Sequence, residues 1–217
     1  MLDTKYTVRY LIESMGKNIF QKSELTKQLI IEKSAPVFNK KGFAGTSLSD
    51  LTRATGLTKG SIYGNFKDKG DVAASVFKYN INNLVNFLSR EMEQGKNAVE
   101  KLQAIAGAYR KLYKNMVAFG GCPLLNCATE ADDTNQVLGK LAIEAIDSLK
   151  KTICALIVCG QKNGEIKAQV DSQNLSEVIL SLLEGGSFLS KVTGEKSFLT
   201  NSIDLIEQLI AQGRAEE

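Results

Sequence analysis

Residues 46–69, TSLSDLTRATGLTKGSIYGNFKDK, decide the fold of this 217-residue chain. Ser47, with Asp50 three residues on, fits a capping box in which each side chain satisfies a free N–H at a helix start. Leu48, Leu51 and Ala54 then recur at helical spacing, Gly56 suits the left-handed residue that ends a helix, and Thr58 suits the cap of the next. The pattern predicts two short helices joined by a glycine turn, the second running from about Lys59 to Phe66. At about 100° per residue, Ile62 and Phe66 share its inward face, and Gly60 and Gly64 fall opposite, flanked by Ser61 and Asn65. A glycine inside a helix costs about 1 kcal/mol relative to alanine, so two on one exposed face imply close approach from outside, by phosphate or a groove floor. That geometry seats a helix in the major groove of DNA. The same pair of helices can also serve packing alone.

The motif extends on both sides. Phe38, Gly42 and Phe43 end an apolar helix, Thr46 and Ser47 follow, then the run Gly-Leu-Thr-Lys-Gly-Ser-Ile-Tyr from Gly56 to Tyr63, then Phe66 and Lys69. With these residues the stretch from Thr26 to about Phe77 resembles the DNA-binding domain of the TetR family of transcriptional regulators. The resemblance implies that Thr58, Lys59, Ser61, Tyr63, Asn65 and Lys69 face DNA, with Tyr63 and Lys69 holding phosphates and Lys59, Ser61 and Asn65 nearest base edges. Ser47 and Gly60 complete the expected DNA-binding set. Two departures stand out: Gly64 occupies a position where the family often carries a large residue, and Pro36 sits inside the first helix, where it should kink the backbone.

Charge is distributed in the same sense. Residues 1–90 hold 14 Lys and Arg against 7 Asp and Glu, whereas residues 91–217 hold 13 against 17. The positive excess therefore lies on the half with the reading motif, which adds weight that a modest net charge of +3 alone would not.

The composition, 43% hydrophobic with two prolines and no tryptophan, and the three- and four-residue spacing of its apolar positions indicate an all-α protein. An N-terminal three-helix helix-turn-helix domain is expected, followed by a larger helical ligand-binding and dimerisation domain. The expected boundaries are 1–25 for an N-terminal extension, 26–72 for the DNA-binding domain and 73–217 for the second domain. The extension carries Tyr6, Tyr10, Leu11, Ile12, Ile19 and Phe20 among basic residues, and reads as a partly ordered arm or a short extra helix. No apolar run approaches the roughly 20 residues of a membrane span, and the N-terminus does not read as a secretion signal. A cytoplasmic location is expected.

In the second domain, apolar periodicity and glycine breaks predict helices from Asp71 to about Met92, Ala98 to Phe119, Asn135 to Asn163, Leu175 to Val192 and Phe198 to Ala211. Leu175, Val178, Ile179, Leu182, Leu183 and Leu189 form one stripe, and Ile203, Ile206, Leu209 and Ile210 another. Gly185, Gly186, Ser187 and Ser190 would let helices approach closely. These helices are the expected homodimer interface, and the family resemblance implies a four-helix contact made by two subunits; packing within one subunit is the alternative. A twofold dimer would read an inverted-repeat operator in double-stranded DNA.

The stretch Gly-Cys-Pro-Leu-Leu-Asn-Cys-Ala-Thr-Glu, from Gly121 to Glu130, resembles one branch of the same family, some members of which sense electrophiles through a cysteine. Cys122 lies at a helix start, where the helix dipole favours thiolate; a small buried hydrophobe is the plainer reading. Cys154 and Cys159 read as core. No disulfide or zinc is expected from this cysteine spacing, and the chain has no histidine, the commonest general base. No catalytic residue, metal ligand or cofactor is assigned. A ligand pocket is expected around Tyr109, Tyr113, Met116, Phe119, Cys122 and Asn126.

Three functions follow in order: a repressor released from its operator by a small-molecule effector, a thiol-based sensor acting through Cys122, and a helical binding protein or enzyme with no DNA role.

Overall fold

The computed structural model describes residues 4–215, with side chains from residue 23 onward. The side chains of the expected arm before Ser23 lie outside the described residues. Among the described residues nine helices follow in order: α1 (Thr4–Gly45), α2 (Leu48–Thr55), α3 (Lys59–Tyr63), α4 (Lys69–Met92), α5 (Ala98–Phe119), α6 (Pro123–Ala131), α7 (Gln136–Lys162), α8 (Ser172–Thr193) and α9 (Ser197–Gly213). Among the described residues the only β interaction is an isolated antiparallel bridge between Ile166 and Arg214. The chain forms two compact units, Met1–Val76 and Phe77–Glu217, and α4 begins in the first and ends in the second.

In the first unit, Ile30, Ala35 and Phe38 of α1 are buried with Leu51 of α2, Ile62 of α3 and Phe66 beyond it. Val72, Ala73 and Val76 at the start of α4 complete this small core. The helical dihedrals of α1 break at Gly42 (φ 72°, ψ 179°) rather than at Pro36, six residues earlier. A positive φ at full extension is open to glycine at little cost, so the sharp bend falls where the chain can take it.

In the second unit α5 contacts α7, α8 and α9, α6 lies on α7, and α8 pairs with α9. Ile203 and Ile206 of α9 have no exposed surface, and Ile179, Leu183 and Ile210 are almost as deeply buried. Each contributes about 1.5–3 kcal/mol relative to an exposed side chain. Gly186 lets α8 and α9 approach: a Cβ there would lie 2.9 Å from Ser202 Cβ and 3.1 Å from Leu199 Cα.

Two sequence expectations change here. Much of each stripe assigned to the dimer, including Ile179, Leu183, Ile203, Ile206 and Ile210, packs inside the subunit. Cys159 is exposed and Cys154 half-buried, because they fall on flanks of α7 while Ile153 and Ile157 take its inward face.

Candidate nucleic-acid interface and effector cavity

The reading head is closed by its own hydrogen bonds. Ser47 Oγ accepts from the Asp50 N–H at 3.1 Å and Asp50 Oδ2 accepts from the Ser47 N–H at 2.9 Å, the reciprocal pair expected from sequence. Lys41 Nζ meets Asp50 Oδ1 at 2.6 Å. This bond, with those from Ser47, holds the Asp50 carboxyl far below the usual carboxylate range. A depressed folded pKa means that the contribution is present above the ordinary carboxylate value and is lost only as pH falls through the lower folded one. Gly56 takes the left-handed conformation (φ 71°, ψ 9°) and its N–H donates to the Thr52 carbonyl. Thr58 Oγ1 accepts from the Ser61 N–H at 3.2 Å and starts α3.

Helix α3 is shorter than its periodicity suggests, ending at Tyr63 rather than Phe66. Asn65 stops it: its side-chain amide donates to the Ser61 carbonyl at 2.8 Å, and its Oδ1 accepts from Ser23 Oγ at 3.0 Å. Asparagine competes in this way with backbone bonding and favours helix ends. Ile62 and Phe66 point inward, with 0% and 2% exposure. Ser47, Thr58, Lys59, Gly60 and Gly64 are exposed, and Ser61, Tyr63, Asn65 and Lys69 half-buried.

The two glycines of α3 differ. A Cβ at Gly64 would crowd the Gly60 carbonyl at 3.1 Å, an internal reason for glycine. At Gly60 the nearest atom is Thr58 Oγ1 at 3.9 Å, so nothing within the protein demands glycine there.

Lys69 is engaged within its own unit. Its Nζ donates to the carbonyls of Phe43 (2.8 Å) and Thr46 (3.0 Å) and lies 4.3 Å from the centroid of the Phe43 ring. The amine thus clasps the end of α1 to the start of α2. The side chains of Lys59 and Tyr63, by contrast, hydrogen-bond to no other described residue.

In the second unit the Gly-Gly-Cys-Pro turn is bolted to α8. Cys122 starts α6, and its Sγ lies 3.3 Å from Glu184 Oε1, to which Tyr109 Oη also donates at 2.9 Å. Tyr113 Oη donates to the Ser190 carbonyl at 3.0 Å, and the Gly120 carbonyl accepts from Asn126 Nδ2 at 2.9 Å and from Lys191 Nζ. Burial, and then the Glu184 charge, push the Cys122 thiol well above its ordinary pKa and do the same to the Tyr109 phenol. The thiolate-favouring effect expected at a helix start is therefore reversed. Burial also raises the Glu184 carboxyl, against the opposing bonds from Cys122 and Tyr109.

Beside this cluster lies an apolar cavity of about 80 Å³. Val85, Leu88 and Met92 of α4 line one side, and Ile105 and Tyr109 of α5, Ile153 of α7, and Leu180 and Leu183 of α8 the others. Ser89 and Thr152 add hydroxyls.

Both units have counterparts among known proteins. Residues 30–76 match the model of bacterial regulatory proteins of the tetR family, and residues 98–206 that of the tetracyclin repressor-like C-terminal domain. A TetR-family transcriptional regulator from Cytophaga hutchinsonii is 39% identical, with a TM-score of 0.83 over 90% of this chain and 98% of that one. This chain belongs to the TetR family. A family member from Chloroflexus aurantiacus is 30% identical, with a TM-score of 0.86 over 91% of this chain and all of that one. The HTH-type transcriptional repressor DhaR of Mycobacterium sp. strain GP1 is 22% identical over 83% of this chain and 89% of its own. The protein is thus a DNA-binding transcriptional regulator, and no described helix is long and apolar enough to cross a membrane.

Within this TetR-family frame, the cavity takes in only part of the expected ligand set. Tyr109 lines it, while Tyr113 and Cys122 bond to α8 and Asn126 to the Gly120 carbonyl; Met116 is buried and Phe119 half-buried outside the lining. Leu88, Leu180 and Leu183 went unassigned because apolar residues at helical spacing look the same whether they face a core or a cavity. Glu184 lies outside the expected set as well, although a carboxylate between the apolar Leu182 and Leu183 and the small Gly185 and Gly186 was a signal in the sequence.

Proposed function

We propose that this TetR-family protein is a dimeric repressor that binds an inverted-repeat operator through α3 and is released by a small molecule held in the cavity of its second unit. The observation that carries the reading is the exposed pair Lys59 and Gly60, with the half-buried Ser61 and Tyr63 beside them, presented by a helix-turn-helix that satisfies its own turn. Lys59 and Ser61 are suited to base edges and the Tyr63 hydroxyl to phosphate. The amine of Lys69 and the amide of Asn65 are held inside the unit, so for them positioning the reading helix is the better-supported task.

Dimerisation is supported by what remains uncovered on α8 and α9. Phe188, Leu189, Val192, Phe198 and Leu205 are each 37–64% exposed, and a Cβ on Gly185 would meet nothing within 4 Å. Large apolar side chains left exposed on two paired helices suit an interface, and a second copy would supply the self-complementary partner of a twofold contact. Release would operate as a population shift: an effector contacting Val85, Leu88 and Met92 bears on α4, the helix that begins at Lys69, and favours the arrangement it binds better. Footprinting on DNA flanking the coding region should reveal a protected inverted repeat that disappears with the right effector. An unprotected or asymmetric site, or protection that no compound alters, would sink the corresponding part of the reading.

The thiol-sensor alternative makes a separable prediction. In timed alkylation of the folded protein with iodoacetamide at about pH 8, exposed Cys159 should react first and Cys122 last, as read by peptide mass spectrometry. Cys122 is 4% exposed and held as the neutral thiol, the less nucleophilic form. If Cys122 reacts first, the thiol reading displaces the reversible-effector one.

A further inference from the structure

Helix α4 breaks its own apolar pattern at the cavity. Its inward stripe runs through Val85, Leu88 and Met92, yet Ser89, one turn after Val85, lies on the same wall. Helix α7 brings two more hydroxyls to this space, those of Ser148 and Thr152. A hydroxyl inside a helix commonly bonds back to the carbonyl four residues earlier, and Thr152 Oγ1 does so, donating to the Ser148 carbonyl at 2.9 Å. The hydroxyls of Ser89 and Ser148, by contrast, hydrogen-bond to no other described residue. Ser89 is half-buried and Ser148 exposed, so these groups stand at the outer side of a space whose inner walls, Ile105, Ile153, Leu180 and Leu183, are buried and apolar. Tyr109 adds only its ring, because Glu184 takes its hydroxyl. Among the described residues no charged side chain lines the cavity.

Size narrows the ligand further. At about 80 Å³ the cavity is too small for a six-membered ring, since benzene occupies one of about 150 Å³. An alkyl chain is one methylene wide and can enter end first, leaving its head at the hydroxyls. We infer that the site takes straight-chain neutral amphiphiles of the alkanol class, with the tail between Ile105, Ile153 and Leu183 and the hydroxyl on Ser89 and Ser148. An alcohol both donates and accepts, and two uncommitted serine hydroxyls can answer both. A carboxylate only accepts and an ammonium only donates, and each brings a charge that this lining does not pair. The inference rests on the cavity's being the effector site, as proposed above.

Four six-carbon probes separate head from shape by isothermal titration calorimetry on the full-length protein: n-hexanol, cyclohexanol, hexanoate and hexylamine, the last two ionised at about pH 7. The straight-chain alcohol should bind about tenfold or more tightly than each of the others. Ser89→Ala combined with Ser148→Ala should weaken it about tenfold through the lost hydrogen bonds; neither side chain has a partner to lose, so the fold is kept. A ring or an ion bound as tightly as n-hexanol, or n-hexanol affinity unmoved in the double variant, overturns the alkanol assignment and leaves the cavity as an effector site. Failure of every probe to bind also overturns it, and the operator part of the reading is then judged by footprinting alone. Fluorescence anisotropy on operator DNA tests the underlying reading separately: n-hexanol bound with the stated preference but without effect on operator affinity would keep the site and remove its role in release.

Discussion

Operator affinity should fall about a thousandfold when Lys59 and Tyr63 are both changed to Ala. Each lost phosphate or base contact costs about 1–3 kcal/mol, and a dimer loses every contact twice. Even the lower figure for two residues in two half-sites comes to about 4 kcal/mol, close to three powers of ten. Fluorescence anisotropy across a salt series should also show a shallower dependence, because one fewer cation per subunit displaces counterions. The unfolding midpoint should fall only slightly, since Lys59 is exposed and the half-buried Tyr63 makes no side-chain hydrogen bond to another described residue, so the pair should cost about 1 kcal/mol of stability. Gly60→Ala is the informative companion: its Cβ has room in the free protein, so a loss of binding without a loss of stability would locate the close approach on the DNA. Unchanged operator affinity in the double variant would remove α3 from the interface.

Tyr109→Ala should be the most damaging single change in the second unit. The side chain is 1% exposed, lines the cavity and donates to Glu184. Truncating a buried aromatic residue costs about 3–5 kcal/mol, and here Glu184 Oε1 is also left with only the weak thiol donor of Cys122. At about 2–4 °C per kcal/mol for a chain of this size, the calorimetric midpoint of this unit should drop by roughly 6–20 °C. Tyr109→Phe keeps the ring and removes one bond, so it should lose only about 1–3 kcal/mol. Equal losses in the two variants would mean that the hydroxyl, and not the packing, supplies the whole effect.

The features legible in the sequence were those set by neighbours along the chain. Ser47 with Asp50, Gly56 and Thr58 act within four residues of themselves, and each cap lies where local chemistry puts it. Asn97 before α5 and Gly120 after it bound that helix for the same reason. What escaped depends on residues distant in sequence. The clasp of Lys69 spans 26 residues to Phe43, and the contact of Asn65 with Ser23 spans 42. Helix α6 was legible only at its start, at Cys122; the nine residues from Pro123 to Ala131 are too few to show a period of their own. Glu184 meets Tyr109 across 75 residues of sequence, and a spacing rule carries no such information. The stripes on α8 and α9 were recognised as apolar, but which members face inward follows from the pairing of those two helices through Gly186.

The clasp of Lys69 also bears on how fast the protein finds its target. Its amine holds the carbonyls of Phe43 and Thr46 at the bend before α2, tying down the backbone that leads into the helix-turn-helix. A reading head that is preorganised in this way has little conformational entropy left to lose at docking. Association should therefore be governed by diffusion and ionic steering, and competing operators should be told apart by how long the protein stays, not by how quickly it arrives.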